Sequence, residues 1–339
     1  MKLRWQIARR IAFAVVAAYL VLSLAFLFVV LTPNPQLALL KRSAAQAAAS
    51  ENIPVKQTKA WERVVAFKER RGMDEPLLER YLDWMISYTQ FEWGRSYGVF
   101  KGILPGGVYG QRYPPNTPVT TLVAEALTHT LWYVLPAMVI AIVGGLAIGL
   151  YTATHQHTLF DRLATSAAHL GFSLPNFWLG EILLLLFFGE SGWVAGLAGG
   201  TYSLLHSVLL PSAVLATSLL AGQLRYARAE SLEYIDAEFI KLVRAKGARQ
   251  WRVARHLLRN AAIPLFSLFF TDMMGILVLN IYVIEYVFGI PGLGGLSFVA
   301  IQSRDVPVIL GTTMAIVLFG IIGNVLQDII YVVLDPRIE

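Results

Sequence analysis

The 339-residue sequence contains no cysteine. That excludes disulfides, thiolate catalysis and cysteine-based metal centres, and it leaves the redox compartment unread. Charge is scarce as well. Only 15% of residues are charged against 56% hydrophobic, and mean hydropathy is +0.57. A soluble protein of this size and composition would expose far too much apolar surface. The G-x-x-x-x-G-K-[ST] phosphate loop is missing, so the chain cannot bind ATP in that manner by itself, and there is no H-E-x-x-H helix. His155 and His157 stand two apart without a third ligand, which describes a solvated pair rather than a metal site. No enzyme signature and no strong internal repeat stands out. The net charge of +6 does not point to nucleic acid, because the basic residues fall in loops rather than along one surface.

What the chain has instead is a series of apolar blocks long enough to cross a bilayer, which takes about 20 residues per helix. Six candidate spans cover residues 11–31, 130–152, 163–188, 204–224, 262–288 and 306–334. The first follows Lys2, Arg4, Arg9 and Arg10 but is too long for a signal core, and no small-x-small cleavage site follows it, so it reads as a retained helix. Four basic residues precede the first span and nine lie in the loop after the fourth, whereas the short loops at 189–203 and 289–305 hold none and one. Both termini and the 225–259 loop are therefore expected in the cytoplasm.

The pattern predicts an all-α polytopic membrane protein in three parts. Residues 1–31 form an N-terminal segment with the first helix, 32–125 an extracytoplasmic segment, and 126–339 a core of five helices with a cytoplasmic loop at 225–261. In the external segment, Trp61, Val64, Val65, Phe67, Leu77, Leu78, Tyr81, Leu82, Trp84 and Met85 are enough for a small cap of packed helices. A loosely ordered loop is the other reading.

Within the spans, Gly144, Gly145 and Gly149 with Ala147 allow a neighbouring helix close approach. Pro136, Pro175, Pro211 and Pro264 interrupt or begin apolar segments, as broken helices lining a cavity do. Ionisable groups inside spans are costly and invite a functional reading; here they are His169, Glu181, Asp272, Glu285 and Asp328. Asp272 is the deepest, and Asn280 follows it two turns on. Asp272, Asn280 and Glu285 are the candidates for a substrate path.

The loop from Arg225 to Pro264 carries the most information. It holds nine Lys/Arg residues and contains a basic amphipathic helix over residues 234–246, with Ile235, Phe239, Leu242, Val243 and Lys246 on one stripe. Gly247 supplies the permissive backbone that ends a helix, and residues 251–260 resume the helical pattern. Such a helix–glycine–helix knob suits either docking of a cytoplasmic partner or an interfacial helix lying on anionic lipid.

The stretch resembles the cytoplasmic signature loop of ABC-importer permeases, and the chain resembles the dipeptide/oligopeptide permease family, first-subunit type. Three blocks carry the likeness: Phe239 to Gly247 with His256-Leu-Leu-Arg-Asn260; Val283-Ile-Glu-Tyr-Val-Phe-Gly-Ile-Pro-Gly-Leu-Gly294; and Arg304-Asp-Val-Pro307 with Asp335-Pro-Arg337. Ser173-Leu-Pro-Asn-Phe177 in the third span also fits. Lys241-Leu242-Val243 replace the general E-A-A, Arg259-Asn260 replace Leu-Pro, and most of residues 32–117 match poorly.

The resemblance implies a type I importer permease fold with six transmembrane helices and a cytoplasmic coupling helix, in a prokaryotic cell (inner/plasma) membrane. It implies four kinds of partner: a second homologous permease subunit, two ABC ATPase subunits, an extracytoplasmic substrate-binding protein and membrane lipid. This chain would bind no cofactor, since ATP and Mg would sit in the ATPase subunits. Asp236, Phe239, Arg244, Ala245, Lys246, Gly247, His256, Arg259 and Asn260 would form the ATPase-coupling surface, and di- or oligopeptides would be the cargo. The other readings are an ion-coupled carrier, which would need paired polar sites and inverted repeats, and an intramembrane enzyme using Asp272, Glu285 or His169.

Overall fold

A computed structural model describes residues 2–69, 73–98, 113–189 and 204–334. The described chain is all-helical, with only an isolated bridge between Arg95 and Pro118 outside the helices and turns. Helix α1 spans Lys2–Leu31, α2 Pro35–Glu51, α3 Lys59–Glu69, α4 Leu77–Thr89, α5 Val119–Thr154, α6 Leu159–Ser173 and α7 Asn176–Phe188. A π-turn at Leu205–Leu209 leads into α8, Leu210–Ile235. Then follow α9, Glu238–Ala245; α10, Gln250–Phe288; α11, Leu293–Ser303; and α12, Val306–Leu334. Among the described residues four helices are long and apolar enough to cross a membrane, and up to six spans result when each of two bent pairs counts as one.

The two bent pairs depart from the expected layout. The block at 163–188 is not one straight helix, because α6 and α7 meet at 100°. Pro175 has no N–H to continue α6, and it drives Leu174 to extended backbone, φ −76 and ψ 124. The stretch at 289–305, expected as a short loop, contains α11. Gly289 ends α10 in the left-handed region at φ 61, and the chain turns back at 80° through Pro291-Gly292. The first five residues of α11 are buried, so it is an inserted helix rather than an exposed loop. Its glycines, Gly292, Gly294 and Gly295, imitate a turn in sequence.

Packing falls into three levels. At one pole Leu150, Ile235, Ile240, Val253 and Leu257 enclose the loop around α9. The middle is built from Tyr133, Ala137, Val214, Leu215, Phe269, Ile281 and Phe288, among others. At the other pole Leu22, Met85, Tyr88, Trp93, Val123, Leu296 and Val308 join α1 and α4 to α5, α11 and α12. The described residues of 35–69 and 73–89 thus form helices rather than a loose loop, and the Phe26 ring of α1 meets Tyr81 edge-on and Trp84 at a tilt on α4. Helix α5 starts at Val119, so the expected 125/126 boundary falls inside it.

The glycine seam lies between α5 and α8. A Cβ on Gly145 would stand 2.7 Å from Gln223 Cβ, and one on Gly149 2.6 Å from Ala227 Cβ. Only glycine permits this approach. The two helices therefore pack backbone to backbone along the length that leads to α9.

Candidate coupling surface and buried polar clusters

Helix α9 is short and sharply bounded. Asp236 closes α8, Ala237 takes up extended backbone (φ −62, ψ 148), and its carbonyl accepts Ile240 N–H at 3.0 Å and Lys241 N–H at 3.1 Å. At the other end Gly247, at φ 73, donates to Arg244 O at 2.9 Å while Ala248 N–H reaches Val243 O at 3.3 Å. This pair of bonds is the Schellman motif, which satisfies the last carbonyls and needs a left-handed residue. Arg249 then starts α10.

The break at Asp236-Ala237 corrects the expected stripe. A continuous helix from Tyr234 would place Ile235, Phe239, Leu242 and Val243 on one buried face. Two non-helical residues reset the phase instead. Ile240 is 0% exposed and packs with Leu150, Val253 and Leu257, with Val243 beside them, while Phe239 and Leu242 turn outward at 36% and 57% exposure. Trp251, at the start of α10, is 72% exposed. Asp236, Phe239, Arg244, Ala245, Lys246, Gly247, His256 and Arg259 are all exposed; the Asn260 side chain lies outside the described residues. The knob therefore has an apolar underside seated on the bundle and an outer face where Phe239, Leu242 and Trp251 stand among exposed cations.

An ion pair not singled out in the sequence braces this pole. Arg228 of α8 meets Asp161 of α6 in a two-pronged contact, Nε to Oδ1 at 3.0 Å and Nη2 to Oδ2 at 3.2 Å. Asp161 also accepts His157 N–H at 3.0 Å, and Thr158 caps α6 by accepting Asp161 N–H at 3.2 Å. The only advance signal was an Asp three residues after a Thr, the pattern of a helix start.

Of the substrate-path candidates, the Asp272 side chain lies outside the described residues, as do that of Asp328 and the terminal residues 335–339. Glu285 is 0% exposed. Its Oε1 accepts the Thr130 hydroxyl at 2.6 Å and the Tyr133 hydroxyl at 3.1 Å, and its Oε2 accepts Gly295 N–H at 2.9 Å. Thr130 Oγ1 in turn accepts Leu293 N–H at 2.9 Å. The carboxylate caps the start of α11, and a Cβ on Gly292 would collide with it. Glu285 is thus enclosed by protein and ties α5, α10 and α11 together. Asn280 meets Asn176 instead: Asn176 Nδ2 donates to Asn280 Oδ1 at 2.6 Å and to Ser218 Oγ at 3.2 Å.

At the pole opposite the knob Asp305, between α11 and α12, accepts the Ser96 hydroxyl at 2.6 Å and Tyr97 N–H at 2.8 Å on Oδ2. Burial and then the Asp305 charge push the Tyr113 phenol above its ordinary range. A cleft of about 1180 Å³ opens between the cap helices and the start of α12, with Arg63, Asp83, Trp84, Trp93 and Arg95 among its walls. No group of three or more His, Asp or Glu that could hold a metal occurs among the described residues.

These features define a class: a multi-pass helical membrane protein with broken spans, a helical cap at one pole and an exposed basic knob at the other. Residues 145–339 match the family described as the binding-protein-dependent transport system inner membrane component. The chain is 32% identical over 283 residues to the oligopeptide transport system permease protein AppB of Bacillus subtilis, covering 80% of this chain and 84% of that one. It is 30% identical to a putative peptide transport system permease protein of Brucella abortus over 340 residues, 98% of each chain. It is also 27% identical to the glutathione transport system permease protein GsiC of Escherichia coli over 334 residues, 98% of each. The chain belongs to the binding-protein-dependent inner-membrane transport family; it is a permease subunit, not an enzyme.

Proposed function

We propose that the chain is one of two permease subunits of an ATP-driven importer whose cargo is di- and oligopeptides. The knob of α9, Gly247 and the start of α10 is the coupling surface, seated in a groove of a cytoplasmic ATPase subunit. The observation that carries this reading is the outward placement of Phe239, Leu242 and Trp251 beside Arg244, Lys246 and Arg249. An isolated soluble-facing loop has no reason to expose this combination, whereas a groove of opposite charge with an apolar floor would bury it.

Both termini and the knob face the cytoplasm, and the cap at residues 35–89 faces the extracytoplasmic binding protein. This chain holds no cofactor of its own; ATP and Mg belong to the two ATPase subunits. ATP binding closes those subunits, the two knobs move together, and the permease pair passes from inward- to outward-facing. That conversion requires contacts that differ between the two states, which a helix wedged in a closing groove provides. The peptide cargo is supported by the relatives, which are oligopeptide, putative peptide and glutathione transport permeases.

The test is mild-detergent purification of the tagged chain with identification of what accompanies it, followed by reconstitution and peptide uptake. Recovery of phosphate-loop ATPases and a second permease, with ATP-dependent uptake of a tripeptide, is the expected result. Recovery of the chain alone would refute the coupling role of the knob.

A further inference from the structure

The break between α6 and α7 falls midway along the 159–188 segment, close to the middle layer of the core. Helix α7 begins at Asn176, and Pro175 before it offers no side-chain cap. The first N–H groups of α7 therefore lack a capping side chain, and the helix start carries partial positive charge. Asn176 is only 8% exposed. Both hydrogens of its amide are used, toward Asn280 and Ser218, yet its Oδ1 is buried without a hydrogen-bond partner. A Cβ on Gly222, one turn along α8 from Ser218, would meet nothing within 4 Å.

The break thus holds a vacant acceptor, Asn176 Oδ1, next to vacant donors, the leading N–H groups of α7. A peptide group brings the complement, one N–H and one C=O. An unfilled buried acceptor is costly to leave as it is, and half-helix starts at mid-depth are where transporters meet polar substrate groups. We propose that the Asn176 break, with Ser218 and Asn280 as positioning residues, contacts the backbone of a peptide in transit. The proposal rests on the peptide-importer reading and specifies the chemistry of the path within this chain: Asn176 Oδ1 accepts a backbone N–H while the α7 start donates to a backbone carbonyl.

The test uses the full complex in liposomes with its ATPases and binding protein, and compares uptake of trialanine with its two analogues methylated at one backbone nitrogen. The binding protein's own preference is common to every permease variant, so a change in the uptake ratio reports the permease. In Asn176→Ala the ratio of trialanine to the poorer analogue falls about two- to tenfold, the loss of one hydrogen bond. ATP hydrolysis stimulated by loaded binding protein persists. Asn176→Leu, closer in volume, gives the same fall. An unchanged ratio in both variants, with uptake continuing, overturns the proposal and leaves the importer reading intact. Failure of both variants to assemble would assign Asn176 to packing and overturn it equally. Absence of tripeptide uptake by the wild-type complex would instead refute the peptide reading on which it rests.

Discussion

Two residues of α9, two positions apart, are expected to fail in opposite ways. Ile240 is 0% exposed and sits against Leu150, Ile235, Val253 and Leu257. Truncation to alanine removes buried methyl groups and leaves a cavity, at a cost of about 2–5 kcal/mol. Leu242 is 57% exposed and points away from that cluster. Fully burying a leucine stabilises by about 1.5–3 kcal/mol, so the part still open to a partner is worth about 1–1.7 kcal/mol, or about five- to twentyfold in Kd. The assays are titration of purified ATPase subunits against the solubilised permease and thermal unfolding of the permease alone. Leu242→Ala should weaken association by that factor and leave unfolding unchanged. Ile240→Ala should lower the unfolding temperature of the permease alone. Equal ATPase affinity for Leu242→Ala and wild type would refute the placement of this face in the groove.

Gly247 sits at φ 73 with nothing within 4 Å of a Cβ, so alanine strains only the backbone, by about 1 kcal/mol, and coupled uptake stays measurable. Proline cannot adopt that φ and deletes the N–H that Arg244 O accepts; transport and stimulated ATP hydrolysis should vanish while membrane insertion, read by extraction and protease protection, persists. Glu285→Ala strands the Tyr133 hydroxyl and Gly295 N–H in apolar surroundings, a loss of about 1–3 kcal/mol for each group, with Glu285→Gln milder. Melting within about one degree of wild type for the alanine variant would contradict the capping role. Because the natural chain has no cysteine, Gln46→Cys and Gln250→Cys report topology without background. An impermeant maleimide should label the first on intact cells and the second only after the cells are opened.

The helix–glycine–helix knob was legible because its signals are local: Gly247 ends a basic helix and an apolar pattern resumes at Trp251. Its phase was not, since the Asp236-Ala237 break carries neither glycine nor proline, and periodicity alone ran the stripe across it. The converse error hid α11, whose glycines serve close packing against Glu285 and Tyr282 rather than a turn. Glu285 stood out as a costly charge in a span. Its partner Thr130 lies 155 positions away, beyond any local pattern, so the carboxylate looked available for substrate when it is enclosed. Asn176 sat inside a noticed motif, Ser173 to Phe177, yet its meaning depends on Ser218 and Asn280, on two other helices.

Under the coupling role proposed above, those long-range contacts give a push on the knob a route to the middle of the bundle. Helix α9 joins α8 through only Asp236 and Ala237, too short a link to absorb much motion. Helix α8 then runs unbroken for 26 residues, about 39 Å. Along it the glycine seam binds α5, and the Arg228–Asp161 pair binds the start of α6. Close-packed helices joined this way shift as a block because interdigitated cores do not deform smoothly. Compliance therefore concentrates where the helices are already broken, at Pro175 and at Pro291-Gly292. The first break carries the vacant acceptor of Asn176. The second is pinned by Glu285 on one side of α11 and by Asp305, with Ser96 and Tyr97, on the other. In the proposed coupling, a wedge driven at α9 acts on the α6–α7 break through α8 and on α11 through α10, and the bonds of Glu285 to the start of α11 and of Asp305 to its end oppose that movement.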